Sequence, residues 1–269
     1  MSNPDGSDRV CLVTGAARGN GLAIARALTD SGATVYLADI ARDLPDVPYA
    51  LAAPRDFDDA VESLQTIHNR VYGIRFDVRD AKAAARAVTQ IETEQGRLDI
   101  LVNNAGVLVL NPIGQVSEGE WNVQMDTIVK GAFYLCRAAL PGMNRRGWGR
   151  IVNVSSIAGH RGLGTATVYT AAKHALIGLT RSLAMEVARQ GITINAVCPG
   201  TVPTPLVEGT GRTLGLTMEE TLTQFTQRHL TENPIAPEDV AAAVGWLASD
   251  AASRVNGASL FVDDGWHCH

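Results

Sequence analysis

Short apolar runs alternate with helical patterns between residues 10 and 198 of the chain. The apolar runs predict buried strands, which span Val10–Thr14, Thr34–Asp39, Tyr72–Phe76, Leu98–Val102, Arg150–Ser155 and Ile192–Cys198. The helical patterns predict one helix that ends near Ser31 and others over Phe57–Val71, Ala81–Glu94, Glu120–Asn144, Val168–Arg189 and Met218–His229. Buried strands separated by helices are typical of a parallel sheet, and right-handed crossovers then predict an α/β, Rossmann-like, doubly wound sheet with helices on both faces.

Two segments look like additions to this alternation. Residues 41–55, with Pro45, Pro48 and Pro54, lie between the second strand and the next helix, and residues 201–237 are rich in Thr and Gly. Long loops beyond the strand ends of such sheets usually carry function, so residues 201–237 are expected to form the substrate loop. Because no Pro-, Gly- or Ser-rich linker and no repeat interrupts the chain, residues 1–269 are predicted to form a single domain.

Composition narrows the class of protein. Apolar residues make up 46% and charged residues 19% of the chain, as in compact globular proteins. The net charge is -5 and no basic run occurs, which argues against a nucleic-acid partner. No stretch approaches the roughly 18 apolar residues of a membrane helix, and residues 1–9 lack the apolar segment of a secretory signal. The widely spaced cysteines, Cys11, Cys136, Cys198 and Cys268, show no metal spacing and favour a reduced, cytoplasmic setting.

A glycine turn follows the first predicted strand. Gly15, Gly19 and Gly21 stand in the stretch Thr14-Gly15-Ala16-Ala17-Arg18-Gly19-Asn20-Gly21, directly before a predicted helix. Glycines let the backbone turn sharply and approach a diphosphate, which the helix N-terminus favours. A glycine triple alone is a weak signal and is also compatible with a merely structural turn, but the strand-to-helix context predicts a dinucleotide site.

Asp39 ends the second predicted strand. A carboxylate at this position accepts hydrogen bonds from adenosine ribose hydroxyls and repels a 2′-phosphate, so it favours NAD over NADP. Arg18 and Arg42 argue in the other direction, because a guanidinium pairs well with phosphate. We give Asp39 more weight, since an unpaired carboxylate beside a phosphate is costly.

Three residues form a candidate catalytic set. Tyr169 and Lys173 are four residues apart on one predicted helix and therefore share a face, and Ser156 lies where the fifth predicted strand ends. Ser155, one residue out of register, is expected to point to the other side. A nearby ammonium lowers the pKa of a tyrosine, and a serine hydroxyl polarises a substrate oxygen. This chemistry suits proton transfer that accompanies hydride transfer, although a Tyr–Lys pair by itself is common by chance.

The glycine spacing, the Ser156–Tyr169–Lys173 set and Asn103-Asn104-Ala105-Gly106 together resemble the short-chain dehydrogenase/reductase family, with motifs in order from Arg9 to Trp266. The resemblance implies a Tyr169 acid/base, a supporting Lys173 that also binds the nicotinamide ribose, and a Ser156 substrate anchor. It also implies a homo-oligomer, since members of this family commonly form tetramers. The cofactor-binding residues that it implies are Gly15, Arg18, Gly19, Asn20, Gly21, Asp39, Asp77, Val78, Asn104, Ala105, Gly106, Tyr169, Lys173, Pro199, Gly200, Val202 and Thr204.

The chain departs from this family at Ile128. Trp121, Asp126, Gly131 and Phe133 match the family's central-helix motif without a gap, but Ile128 occupies the position of its fourth catalytic residue, an Asn. An isoleucine cannot hold the water that links the lysine to solvent. Three interpretations follow. The proton relay runs through a neighbour such as Thr127 or through water alone, or the enzyme is active but slow. In the third interpretation, the protein has become an NAD(H)-binding sensor without turnover.

Two further features bear on the site. The residue 41–55 insertion resembles that of carveol-dehydrogenase-like enzymes linked to mycofactocin, which hold NAD tightly, although an unrelated loop extension explains it equally well. Apolar residues in the substrate loop predict an apolar or alicyclic secondary alcohol or ketone as substrate, and they are Leu206, Val207, Leu214, Leu216 and Phe225. The terminal His267-Cys268-His269 is interpreted as a frayed tail without a metal, and a Ser156–His160 nucleophile pair is a minor alternative.

Overall fold

A computed structural model describes residues 9–268, and the predictions for residues 1–8 and for His269 lie outside them. The strands are β1 (Val10–Thr14), β2 (Thr34–Asp39), β3 (Val71–Arg75), β4 (Ile100–Asn103), β5 (Gly149–Val154), β6 (Ile192–Pro199) and β7 (Ser259–Val262). The helices are α1 (Gly19–Asp30), α2 (Pro54–Gln65), α3 (Ala81–Gln95), α4 (Glu118–Met125), α5 (Gly131–Arg146), α6 (Thr167–Glu186), α7 (Pro205–Thr213), α8 (Met218–Thr226) and α9 (Pro237–Ala248).

All strand pairs in the sheet are parallel, in the order β3-β2-β1-β4-β5-β6-β7. The predicted doubly wound α/β class is confirmed. One apolar core joins the sheet to α1, α2 and α9, through side chains such as Ile24, Leu64 and Val244. A second core joins the opposite face to α3 and α5, through Ile91 and Leu135 among others. The strand order reverses between β1 and β4, and in such sheets ligands bind beyond the strand ends at this point.

Several predicted boundaries change. The predicted helix over Phe57–Val71 ends at Gln65 instead, because Val71 starts β3 and pairs with Val35. The predicted strand Tyr72–Phe76 is shifted by one residue, and Leu98–Val102 begins two residues late at Ile100. The sequence predicts no element after residue 229, so it missed α9 and β7, and it also missed α7. The Pro237-Glu238-Asp239 start of α9 is a helix signal that would have found it.

The long predicted helix Glu120–Asn144 is two helices joined by one π-helical turn, Asp126–Lys130. α4 begins at a capping box, in which the Ser117 side chain accepts from the Glu120 amide and the Glu120 carboxylate accepts from the Ser117 amide. π-turns widen a helix locally and often occur at functional sites. This one carries both Thr127 and Ile128.

No helix among residues 9–268 is long and apolar enough to cross a membrane. Within the same residues, no cluster of three or more His, Cys, Asp or Glu side chains is arranged to hold a metal ion. The C-terminal segment is docked as far as Cys268, in contrast to the frayed tail predicted from the sequence. Trp266–Cys268 forms a helical turn, and the His267 Nδ1 atom lies 2.9 Å from a carboxylate oxygen of buried Asp263.

Candidate active site

One cleft runs along the carboxyl ends of the central strands. Every predicted site residue except Gly21 lines it, so the strand ends bring together positions spread from Gly15 to Thr204. Gly21 has a different place. A Cβ atom added there would lie 2.1 Å from the Gly15 carbonyl oxygen, so Gly21 permits the close packing of the turn on helix α1 without lining the cleft.

The glycine turn is shaped by backbone angles and braced from β4. Gly15 and Gly19 have φ values of +64° and +58°, in the left-handed region that side chains disfavour. The Asn104 side-chain amide donates to the carbonyls of Thr14 and Gly15 at 2.9 and 3.1 Å. The Thr14 hydroxyl accepts from the backbone amides of Asn104 and Ala105. The motif after β4 therefore holds the turn in its sharply bent form.

Asp39 joins the turn to the insertion. One carboxylate oxygen accepts from the Ala17 amide and the other from the Ala41 amide, each at 3.1 Å. A carboxylate oxygen has room for more than one hydrogen bond, so Asp39 retains acceptor capacity toward the cleft that it lines. The position predicted for ribose recognition is therefore held rigidly by backbone donors.

The two arginines that argued for NADP have other partners. The Arg18 guanidinium donates to the Ala50 carbonyl at 2.7 Å, and that of Arg42 lies 3.5 Å from the Asp77 carboxylate. The Arg79 guanidinium also donates several hydrogen bonds to the Asp77 carboxylate. Burial alone would raise the pKa of Asp77, but the Arg79 hydrogen bonds hold it below its usual value. Arg42 thus belongs to the Asp77 cluster.

The insertion folds over the cleft. Leu44 and Val47 are buried and pack against Val107 after β4 and Val123 of α4. The Tyr49 hydroxyl accepts from the Leu108 amide at 3.0 Å, and a Cβ added to Gly209 of α7 would lie 2.7 Å from the Tyr49 ring. Tyr49 therefore touches both the loop after β4 and the substrate loop. Its contacts are not apparent from the sequence, because they depend on three segments far apart in the chain.

The three candidate catalytic residues meet at the other end of the cleft. The Lys173 Nζ atom lies 5.4 Å from the centre of the Tyr169 ring and donates to the Val154 carbonyl at 2.8 Å. The Ser156 hydroxyl accepts from the Ala158 amide at 3.1 Å and lies near the Tyr169 hydroxyl. The Ser155 hydroxyl instead donates to the Lys173 carbonyl, as its register predicts.

Burial is the largest influence on the pKa values of Tyr169 and Lys173. It raises the pKa of Tyr169 to about 12, although the Ser156 hydroxyl acts to lower it. It lowers the pKa of Lys173 to about 8, because the ammonium is enclosed by protein. The Ser156 hydroxyl, and not Lys173, is the group that acts to lower the pKa of Tyr169 in this structure. With a pKa of about 8, Lys173 is mostly protonated at neutral pH.

Ile128 lies in an apolar environment. It is 2% exposed and packs on Ala172 and Leu176 of α6. Lys173 lies close by, since a Cβ added to Gly106 would be 3.6 Å from Ile128 and 3.8 Å from the Lys173 Nζ atom. The neighbouring Thr127 lines the cleft, is 8% exposed, and its hydroxyl has no hydrogen-bond partner among residues 9–268.

The Ser156–His160 pair, a minor alternative in the sequence analysis, does not form. The His160 ring packs against Phe261, 5.0 Å between ring centres, while Ser156 Oγ is engaged by a backbone amide. Burial, together with the nearby Arg181, lowers the pKa of His160. His160 therefore belongs to an aromatic contact behind the cleft.

The comparisons with known proteins agree with this geometry. The family model described as enoyl-(acyl carrier protein) reductase matches residues 15–267. The chain is 33% identical to a D-beta-hydroxybutyrate dehydrogenase of Rhizobium meliloti, over 96% of this chain and 98% of the relative. It is 37% identical to a cis-4-hydroxycyclohexanecarboxylate dehydrogenase of Sinomonas cyclohexanicum, over 97% of each chain.

Among solved structures, carveol dehydrogenase from Mycobacterium avium in complex with NAD superposes with a TM-score of 0.93 and 30% identity, over 99% of this chain and 100% of that one. A short-chain dehydrogenase from Mycobacterium paratuberculosis bound to NAD gives 0.89 and 34%, over the whole of both chains. The chain belongs to the short-chain dehydrogenase/reductase family, as its motifs predict. The carveol dehydrogenase likeness agrees with the resemblance of the insertion.

Proposed function

We propose that this chain is an NAD-dependent dehydrogenase that interconverts a secondary alcohol and a ketone. One observation carries the proposal: a single cleft has the glycine turn and Asp39 at one end and the set Ser156, Tyr169 and Lys173 at the other. The relatives matched over nearly the whole chain are named as dehydrogenases and reductases, which supports the same class of reaction. A sensor without turnover finds no such support.

The residues of the cleft fit NAD. The left-handed glycine turn leaves free space where side chains would otherwise stand, next to the N-terminus of α1, which suits a diphosphate. Asp39 would accept from the ribose hydroxyls, and its nearest cationic neighbours are engaged elsewhere. Two similar structures are NAD complexes. We therefore assign NAD as the cofactor.

In the proposed mechanism, bound NAD supplies the hydride acceptor for alcohol oxidation, and its reduced form supplies the donor for the reverse reaction. The Tyr169 hydroxyl exchanges a proton with the substrate oxygen, and the Ser156 hydroxyl donates a hydrogen bond to that oxygen. Lys173, protonated at neutral pH, favours the phenolate of Tyr169 and is assigned to the nicotinamide ribose hydroxyls. Atoms and charge balance, since alcohol and NAD⁺ give ketone, NADH and one proton.

The proton path past Ile128 is assigned to Thr127 and water. Thr127 is the residue next to the missing asparagine, and its buried hydroxyl is unpartnered and lines the cleft. A Thr127→Val variant is expected to lower kcat, while Thr127→Ser keeps it. Equal rates for Thr127→Val and the wild type would assign the relay to water alone.

The substrate is proposed to be apolar or alicyclic. Leu206 and Val207 of the substrate loop line the cleft, whereas Leu214 is 45% exposed and points elsewhere. Relatives that act on hydroxycyclohexanecarboxylate and carveol support a ring-shaped alcohol. The mycofactocin-linked branch, with tightly held NAD, is a further part of the proposal, since the insertion packs over the cleft.

We also infer a homotetramer in a cytoplasmic setting. Exposed apolar side chains on α4, α5 and α9, namely Trp121, Phe133 and Trp246, leave surface for subunit contact. Cys11, Cys136 and Cys198 are free and buried, which suits a reducing compartment. Light scattering coupled to size exclusion tests the tetramer directly.

The first experiment is to denature the purified protein and identify released nucleotide by mass spectrometry. One equivalent of NAD(H) supports both the cofactor and the tight-binding branch, and NADP(H) would overturn the Asp39 argument. If the protein is empty, titration with NADH follows. A panel of cyclic and acyclic secondary alcohols is then assayed with the wild type, and the absence of any hydride transfer despite NAD binding would favour the sensor hypothesis.

A further inference from the structure

His229 follows α8 within the substrate loop and is buried against the end of β6. It is 3% exposed. Its Nε2 atom accepts a hydrogen bond from the Thr201 amide at 3.1 Å, and its Nδ1 atom lies 2.6 Å from the Asn233 carbonyl oxygen. A carbonyl only accepts and an amide only donates, so the contacts require a neutral imidazole with its proton on Nδ1. Both ring nitrogens are therefore committed to the backbone.

The imidazole fills the space behind Gly200. A Cβ atom added to Gly200 would lie 2.7 Å from the His229 Nε2 atom, so the glycine lets the ring approach the backbone. The ring also packs near Trp266, 6.1 Å between centres. The other groups of this segment have partners as well: the Gly200 amide donates to Val262 and the Thr201 carbonyl accepts from Ile235.

This segment belongs to the reactive end of the cleft. Gly200 and Val202 line the cleft, whereas Thr201 between them does not, so the chain alternates between facing the cleft and facing His229. Cys198, two residues before Gly200 in β6, is near enough to Tyr169 and Lys173 to influence the pKa of each. A dinucleotide with its adenosine at Asp39 would place its nicotinamide beside Gly200 and Val202.

We propose that His229 is a positioning residue for nicotinamide: its neutral imidazole fixes the Gly200–Val202 backbone against the reactive end of the cofactor. The inference rests on the proposed use of NAD. Because Nδ1 is tied to Asn233 in the substrate loop and Nε2 to Thr201, the same ring joins that loop to the nicotinamide site. His229 touches neither substrate nor cofactor, so its effect should appear in the binding of the nicotinamide half alone.

The test compares NAD⁺ with ADP-ribose, which lacks the nicotinamide. Dissociation constants for both ligands are measured by calorimetry on full-length protein stripped of bound nucleotide. His229→Phe keeps a ring of similar shape and removes both hydrogen bonds, and His229→Gln keeps an acceptor within reach of Thr201. Thr226→Val is the matched control, because Thr226 is a buried residue of the same loop whose hydroxyl donates to the Leu222 carbonyl within α8.

In His229→Phe, the affinity for NAD⁺ is expected to fall about tenfold and that for ADP-ribose to stay within twofold of wild type. His229→Gln is expected to lose less than threefold, and Thr226→Val to match wild type for both ligands. A fall of equal size for both ligands, or no fall, would overturn the positioning role. If His229→Phe does not fold, Gly200→Ala, whose methyl group meets the imidazole, is expected to give the same selective loss.

The wild type separates this inference from the proposed function. Protein that binds neither ligand would overturn the proposed NAD dependence, and the positioning role with it. Protein that binds ADP-ribose as tightly as NAD⁺ would leave the nucleotide site standing and overturn only the role of His229.

Discussion

The two ends of the cleft are built in different ways. At the end proposed to hold the adenosine, Asp39 and the glycine turn lie directly on strand ends, and the Ala17 amide of the turn donates to the Asp39 carboxylate. At the end proposed to hold the substrate, a strand end supplies Ser156, but the cover comes from α7 and the insertion, where Tyr49 contacts the Leu108 amide and Gly209. Strand ends fix a side chain through the register of the sheet, whereas loops are placed by packing between segments far apart in the chain.

The ends also differ in energetic cost. Asp39 satisfies backbone donors in a partly solvated position, while Lys173 keeps a charge in a fully enclosed one. A buried charge without a counter-charge destabilises the fold. The end of the cleft that contains Lys173 therefore carries a buried charge that lowers the stability of the fold. Four predictions, given in order of expected size, test this contrast between the two ends.

The largest effect is expected from Tyr169→Phe. Removing the proposed acid/base should lower kcat by about 10²- to 10⁴-fold, because the Tyr169 hydroxyl is the group assigned to exchange the proton with the substrate oxygen. NAD affinity should stay within about threefold. Steady-state kinetics and NADH titration check both values, with Tyr72→Phe as the control on the partly exposed face of β3. A kcat within fivefold of wild type would remove Tyr169 from its assigned role.

Lys173→Met should leave the protein inactive and more stable. The pKa of Lys173 is about 8 in the fold against an ordinary 10.5, so between these values the unfolded chain binds more protons. Stability from this group therefore rises with pH across that window, and the penalty is full below pH 8. The variant should gain up to about 3 kcal/mol at pH 7, less the cost of the lost bond to Val154.

Urea unfolding at pH 7 and above pH 10.5 measures this difference. The stability gained by the variant should shrink as the pH rises, since Lys173 then becomes neutral in both the folded and the unfolded wild-type protein. A variant that is less stable than wild type by 2 kcal/mol at pH 7 would mean that the bond to Val154 outweighs the buried charge.

Asp39→Ser should weaken NAD binding by about 10- to 100-fold, as expected for the loss of a charged acceptor. The preference for NAD over NADP should fall by at least the same factor, because the repulsion of a 2′-phosphate is also lost. Calorimetry with both cofactors gives the ratio. Asp43→Ser is the control, since the Asp43 side chain is exposed and does not itself line the cleft. An unchanged ratio would detach cofactor choice from Asp39.

The smallest effect is expected from Tyr49→Phe. The variant loses one hydrogen bond, from the Leu108 amide, worth about 1 kcal/mol. If the insertion retains the cofactor, NADH should dissociate about fivefold faster in stopped-flow fluorescence, with kcat/KM for the alcohol little changed. Equal dissociation rates would show that the insertion covers the cleft without holding what lies in it.

The sequence predicted the residues of the proposed adenosine end and the proposed catalytic set more fully than the segments that cover the cleft. Gly15 and Ser156 each follow an apolar strand and Asp39 ends one. Parallel strands have their carboxyl ends at one edge of the sheet, so the positions of the strands were enough to place these residues together. The π-turn at Asp126–Lys130 was hidden, because a single helical period runs through α4 and α5. Gly21 does not line the cleft, and only the folded turn shows that a side chain there would strike the Gly15 carbonyl.

By itself the chain determined the doubly wound sheet, the family and the residue types that meet in the cleft, because hydrophobic period and motif order are local properties. Only the tertiary structure decided which partners the charged side chains bind. Arg18 and Arg42 look alike in sequence, yet one bonds the Ala50 carbonyl and the other Asp77. His229 gave no sequence signal, because its partners, Thr201 and Asn233, become neighbours only when the substrate loop folds back on the end of β6.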